Sequence, residues 1–240
     1  MKRSILIISL LFNKPIFGQQ QKESLGTWNV FNTKYNINNK WSFFAEAQLR
    51  SLKFYDHFHY HEYKGGINYS ITPELRVSLG AGDYDTYQEG GNFVTPKKND
   101  EFRLWPQVLL TQPLGIFLIE QRFRAEFRFT SNGFRNRFRY RLGIMYPFGK
   151  QKKGYTPYMV SLSNELFLTN RAPYFERNRI QLAFNYRTSK VTTLQVGYLH
   201  QFDYQIDDEI GRDFFQIGIF LEFSRMIKGP KNNNQLIKGD

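Results

Sequence analysis

Hydrophobic and polar positions alternate with a period of two along most of the chain, and no stretch sustains a helical period. Residues 41–50 put Trp41, Phe43, Ala45, Ala47 and Leu49 on one face and Ser42, Phe44, Glu46, Gln48 and Arg50 on the other. Residues 116–129 are sharper. Phe117, Ile119, Phe123, Ala125, Phe127 and Phe129 share a face broken only by Gln121, opposite Glu120, Arg122, Arg124, Glu126 and Arg128. Residues 135–146 repeat the pattern with Phe138, Tyr140, Leu142, Ile144 and Tyr146 against Arg137, Arg139 and Arg141. The same reading predicts strands at 26–37, 57–70, 74–85, 100–111, 156–168, 175–187, 191–203 and 213–223. These segments are longer than the roughly five or six residues of an ordinary soluble strand. They suit a tilted strand crossing a bilayer, which needs about nine to eleven.

The connections alternate as well. Short turns are predicted at Asn38-Asn39, Ile71-Thr72-Pro73, Gln112-Pro113-Leu114 and Thr188-Ser189-Lys190, and longer links at 51–56, 86–99, 169–174 and 204–212. Short turns at one end and longer loops at the other are the habit of outer-membrane barrels. Two links depart from it: Asn132-Gly133 reads as a tight hairpin on the long-loop side, and 148–154 is long on the short side.

Lys2-Arg3 followed by the apolar run 4–12 and by Gly18 reads as an export signal, residues 1–18, cut before Gln19. Residues 19–25 would lead into a barrel spanning 26–223, and 224–240 would form a basic, disordered tail. The full chain of 240 residues carries a net charge of +12, and about +9 remains without the leader. Export removes nucleic acid as the explanation of that charge. Cysteine is absent, which excludes disulfides, thiol nucleophiles and Cys-based zinc sites. No phosphate-binding loop, zinc-protease helix, nucleophile elbow or calcium loop is present, and no cofactor is expected. Gly82-Asp83-Tyr84-Asp85 is acidic but reads as a strand end.

A soluble barrel or sandwich would bury the aromatic face; a membrane barrel would turn it to lipid. About five large apolar residues on each strand exceed what a small barrel interior holds. Aromatics also gather at strand ends (Trp41, Tyr69, Phe117, Phe129, Tyr146, Tyr158, Tyr186, Phe202, Phe223), as in interfacial girdles. The fold predicted is therefore all-β: a closed antiparallel transmembrane β-barrel. Eleven strands are visible, and because single-chain bacterial barrels take even numbers, about twelve are expected, with ten as second choice.

The chain resembles the Bacteroidota outer-membrane family catalogued as domain of unknown function 2490. The resemblance rests on Gly26-Thr27-Trp28, on Lys40-Trp41 with Glu46 and Arg50, and on Glu101-Phe102-Arg103-Leu104-Trp105 with Gln107. It continues through Arg122, Arg124, Glu126 and Arg128, Arg137-Phe138-Arg139-Tyr140-Arg141, Asn164-Glu165-Leu166-Phe167 and Asn178-Arg179. It implies a barrel in the outer membrane of a Gram-negative bacterium, with lipid as its surroundings and the barrel-assembly machinery as a partner during biogenesis. It implies no assigned biochemical activity.

Strand parity sends a charged set into the lumen: Glu46, Arg50, Glu62, Lys64, Arg76, Glu101, Arg103, Glu120, Arg122, Arg124, Glu126, Arg128, Arg137, Arg139, Arg141, Glu165, Arg177 and Arg179. An Asn132-Gly133 turn would place Glu126 opposite Arg139 and Arg128 opposite Arg137. Like charges facing each other are costly, so Glu101, Glu120 and Glu165 are expected to intervene. The set reads first as a cross-braced lumen and second as an Arg-lined passage or pocket for a small anion.

His57, His59 and His61 would share the outward face near the long-loop rim, with Ser51 on the same parity and Asp56 between them. An interfacial belt is the first reading. Two histidines binding a metal is a second. An acyl hydrolase built on Ser51 with His57 or His59 is a third, opposed by the absence of a nucleophile motif and of visible oxyanion donors. The protein is expected not to be an enzyme.

Overall fold

Edge-to-edge pairing of the alternating segments produces one closed sheet, antiparallel except along its last strand's closing seam, seen in a computed structural model that describes residues 20–21, 24–151, 154–204 and 210–225. The strands are β1 (Gln20–Gln21), β2 (Gly26–Asn36), β3 (Trp41–Lys53), β4 (Asp56–Ser70), β5 (Leu75–Gln88), β6 (Val94–Leu114), β7 (Phe117–Thr130), β8 (Gly133–Phe148), β9 (Tyr158–Thr169), β10 (Phe175–Arg187), β11 (Thr192–Asp203) and β12 (Ile210–Ser224). Each long strand pairs with its neighbours in sequence, and β12 closes on β2. The whole of the predicted leader, residues 1–18, and the predicted tail from 226 onward lie outside the described residues.

The barrel wall has eleven long strands. The two-residue β1 brings the sheet to twelve, and it continues the line of β2 along β12 instead of adding another crossing. No further strand lies in 86–99, because β5 and β6 extend into that region and leave only residues 89–93 as a link. An odd count has one geometric consequence. Successive hairpins reverse direction at every step, so the first and last of eleven strands run the same way, and the β12–β2 seam is parallel, from Phe214↔Gly26 to Ser224↔Asn36. A parallel ladder still pairs the backbone groups, so closure leaves no open edge.

The predicted contrast between short and long links is weak. The link expected at 51–56 is a two-residue turn, Phe54-Tyr55, and the one expected at 86–99 is mostly strand. Length has moved from loops into strands: β6 alone runs 21 residues.

A bulge redirects side chains, and a gap interrupts a ladder without shifting its register. Between β3 and β4 the register jumps from Arg50↔Tyr60 to Ser51↔Phe58, so His59 is an extra residue in a β-bulge. Between β6 and β7 the ladder passes from Leu104↔Phe127 to Gln107↔Arg124, skipping Trp105 and Pro106. Pro106 has no N–H to contribute there.

The two faces of the sheet differ in chemistry. The outward face carries exposed apolar side chains around the whole wall, among them Phe43, Leu79, Phe123, Phe138, Leu182 and Val196. Facing inward are nearly all the buried charged residues and two small apolar clusters, Trp28/Val30/Leu199/Phe214 and Tyr60/Tyr84/Trp105. Trp105 is 1% exposed and lies flat on Gly80, where a Cβ would sit 2.5 Å from its Cε2. Gly80→Val would therefore push the indole out of place, an overpacking change costing about 1–3 kcal/mol. A lower thermal midpoint of the detergent-folded protein is the expected outcome, and an unchanged midpoint would contradict this packing.

Candidate functional site: a charged lumen

The barrel encloses a cavity of about 600 Å³. Its wall runs from Lys34 and Arg76 toward one end to Glu89, Lys98 and Arg212 toward the other. Fifteen lysines and arginines line it against seven glutamates. The structure places Glu46, Arg50, Glu101, Arg103, Glu120, Arg122, Arg124, Arg128, Arg137, Arg139, Arg141, Glu165, Arg177 and Arg179 on this wall, with Glu126 buried behind it.

The register puts like charges directly opposite each other: Arg103↔Arg128, Arg122↔Arg141, Arg124↔Arg139 and Arg128↔Arg135. Carboxylates shared between guanidinium groups relieve most of this. Glu101 takes the fork of Arg103 through both oxygens (2.6 and 3.0 Å) and binds Arg128 the same way. Glu165 takes both sides of the Arg139 fork (2.9 and 3.0 Å) and also Arg122 (2.5 Å). Glu126, 1% exposed, accepts from Arg137 (2.6 Å) and Arg139 (2.7 Å). Glu120 holds Arg141, and Asp203 holds Arg177. Bidentate forks of this kind are the strongest hydrogen bonds side chains make, and they fix geometry as well as energy.

The turn that sets this register differs from expectation. The hairpin loop is Ser131-Asn132, with Thr130 paired to Gly133, so Glu126 faces Arg137 and Arg128 faces Arg135. Thr130 stabilises this turn through its hydroxyl, which donates to the Gly133 carbonyl and accepts from the Asn132 N–H. Glu126 still reaches Arg139, two residues along β8, by binding it with its second oxygen.

Glu176, absent from the predicted set, links Arg128 (3.4 Å) to Arg137 (2.9 Å). It sits one residue past the start of β10, at a register irregularity that shifts its parity. Phe167 was also missed: it is 1% exposed beneath the guanidinium groups of Arg139, Arg179, Arg137 and Arg177, at 4.5 to 5.7 Å. Arg50 lies between Trp28 (3.4 Å) and Tyr60 (4.0 Å). Aromatic faces thus take part of the charge that carboxylates do not. A second braced group joins Lys64 to Glu46 and Glu62, both at 2.5 Å, and Arg50 to Glu62 at 3.0 Å.

The bulge at His59 breaks up the predicted histidine face. His59 is buried and turns into the lumen wall, and the neighbouring Tyr60 does the same. His61 stays on the outside, between Tyr87 (3.2 Å) and Asp85 (3.5 Å). His57 has a left-handed backbone (φ 56°) and binds Asp56 at the rim. Its backbone N–H and ring Nδ1, both 2.8 Å from Asp56, hold that carboxyl below its usual range.

Ser51 is fully buried instead of lying on the rim. Its Oγ contacts Thr27 Oγ1 at 2.5 Å and donates to the Lys53 carbonyl at 2.6 Å, while no contact to His57 is present. Three carboxylates, Asp83, Asp85 and Asp100, bring oxygens within 4.8 Å of one another on the outside, and Lys97 already occupies that group at 2.8 Å from Asp85 and 3.3 Å from Asp100.

Removing one partner of a buried, shared charge leaves the others uncompensated. Glu126→Gln keeps the shape and removes the charge that Arg137 and Arg139 share, so a loss on the order of 3 kcal/mol is expected. Thermal or denaturant unfolding in detergent would measure it, and wild-type stability in this variant would contradict the bracing.

No curated protein matches the chain. Among solved structures, the anion-selective porin from Comamonas acidovorans aligns at 15% identity over 75% of this chain and 55% of that one, with a TM-score of 0.37. This chain spans about half the length of that porin. The model of one family, described as protein of unknown function (DUF2490), matches residues 25–211. That match covers most of the barrel wall, from β2 into the first residues of β12, and by it the chain belongs to the DUF2490 family.

Proposed function

We propose that this chain is an integral outer-membrane β-barrel with no catalytic role, whose braced and cationic lumen admits anions in preference to cations. The observation that carries the reading is the charge of the interior wall, with basic residues outnumbering acidic ones by about two to one. Charged walls select permeant or bound ions by sign. The membrane setting is supported by the outer face. Apolar side chains such as Phe138 (51% exposed) and Leu182 (52%) cover it on every side, far beyond the patches a soluble monomer exposes. In lipid that face is solvated, and the closed sheet satisfies the backbone.

A purely structural role is the second reading. It is favoured by one observation: the lumen carboxylates Glu101, Glu126 and Glu165 are each bound by two arginines, as in a filled and rigid interior. The hydrolase alternative is not proposed, because Ser51 Oγ is committed to Thr27 and Lys53. Purified protein is expected to release no acyl chains from phospholipid vesicles, and Ser51→Ala is expected to cost stability, about 1 kcal/mol for the lost hydrogen bonds, and nothing else.

Two measurements test the proposal. Membrane fractionation should place the protein with the outer membrane; recovery as a soluble periplasmic protein would contradict it. In planar bilayers under a potassium chloride gradient, the reversal potential should take the sign of anion preference. Cation preference would contradict the lumen reading, and silence at all voltages would favour the structural one.

A further inference from the structure

Arg76, Arg122 and Arg124 line the half of the cavity toward the turns at 71–74 and 115–116, where β5, β6 and β7 form the wall and Glu120 is the lining carboxylate those strands contribute to that half. Arg76 on β5 and Arg122 on β7 flank the same residue, Leu109 of β6, in one hydrogen-bonded row. Two strand spacings put their backbones about 10 Å apart, within reach of two long side chains converging on one group. One row on, Arg124 faces Gln107.

None of these three arginines has a carboxylate to itself. Arg76 lines the cavity and takes no hydrogen bond or ion pair among the described residues. Arg124 directs its fork, at 2.6 and 2.9 Å, at Gln107 Oε1, a neutral amide. The nearest carboxylate oxygen, Glu126 Oε1 at 3.6 Å, is already held by Arg139 at 2.7 Å. Arg122 has one bond, to a Glu165 that Arg139 also occupies through both oxygens, and its Nε is buried with no partner. Arg141 stands directly opposite Arg122 and adds a further positive charge, offset by Glu120.

We propose that Arg76, Arg122 and Arg124 form a binding site for a phosphoryl group inside the lumen. It deepens the anion-preferring reading and rests on it. A halide ion can satisfy one fork at a time. A phosphoryl group carries about two negative charges and presents several oxygens, so it can meet the free Arg76 guanidinium, the orphaned Nε of Arg122 and the cavity side of Arg124 together. The cavity is in the range of small-ligand pockets, so the group can arrive as free phosphate or on a small monoester.

The test uses isothermal titration of the full, detergent-folded chain with inorganic phosphate and, separately, glycerol 3-phosphate, at constant chloride. Phosphoryl binding above the chloride background is expected, with free phosphate alone or the ester as well identifying the source. Arg76→Ala should weaken it on the order of tenfold or more without loss of the heat-dependent gel shift, because Arg76 braces nothing. Arg124→Gln should weaken it too, and Lys190→Ala, on an outer turn, should not. Titration heats equal to the chloride background, or unchanged affinity in folded Arg76→Ala, would overturn the site. Anion preference in bilayers without phosphoryl binding would remove the site and keep the lumen reading. Phosphoryl binding with cation preference would keep the site and remove the passage.

Discussion

Carboxylates shared between arginines are what the rest of this barrel depends on. The hairpins β6–β7 and β7–β8 set arginine against arginine at four positions across two ladders. A register of that kind persists only if anionic groups stand between the pairs. Glu101, Glu126 and Glu165 do so, each divided between two guanidinium groups, and all three expose under a tenth of their surface. The cost of burying such charges is large, and it is offset only by near-complete pairing. The lumen therefore acts as a single coupled frame, in which the loss of one carboxylate propagates to several strands.

Where carboxylates run short, the chain substitutes softer partners. Phe167 lies under four guanidinium groups, Trp28 and Tyr60 hold Arg50, and Gln107 and Gln201 accept from Arg124 and Arg179. These partners orient a guanidinium without cancelling its charge. The interior is thereby rigid and still positive. Rigidity and net charge are usually in opposition, because repulsion loosens a cluster of like charges. Here they separate, since geometry comes from forks and rings while the charge balance comes from the smaller number of glutamates.

Much of this was legible in the sequence. Period-two alternation in 116–129 and 135–146 gives the strands and the inward set, because a pleated strand leaves side chains only two directions. The seam was not legible: pairing of β12 with β2 depends on an odd count, which no local pattern encodes. Nor was the bulge at His59, since one inserted residue leaves no compositional trace and still reverses parity, carrying His59 inward beside Tyr60 while His61 stays outside. The hairpin at Ser131-Asn132 misled because Asn132-Gly133 is a stronger local turn signal than the threonine hydroxyl that fixes the actual register. Residues 94–99, polar and containing Pro96, read as loop, yet Asn99 and Val94 pair with β5.

The central claim is that the charged face of the sheet lines the lumen and the aromatic face meets lipid. The absence of cysteine makes it directly measurable. Single cysteines placed along β8 from Phe138 to Met145, spin-labelled in the bilayer-reconstituted protein, report oxygen accessibility residue by residue. The account predicts alternation, with high accessibility at 138, 140, 142 and 144 and low accessibility at 139, 141, 143 and 145. The opposite phase, or no alternation, would contradict it.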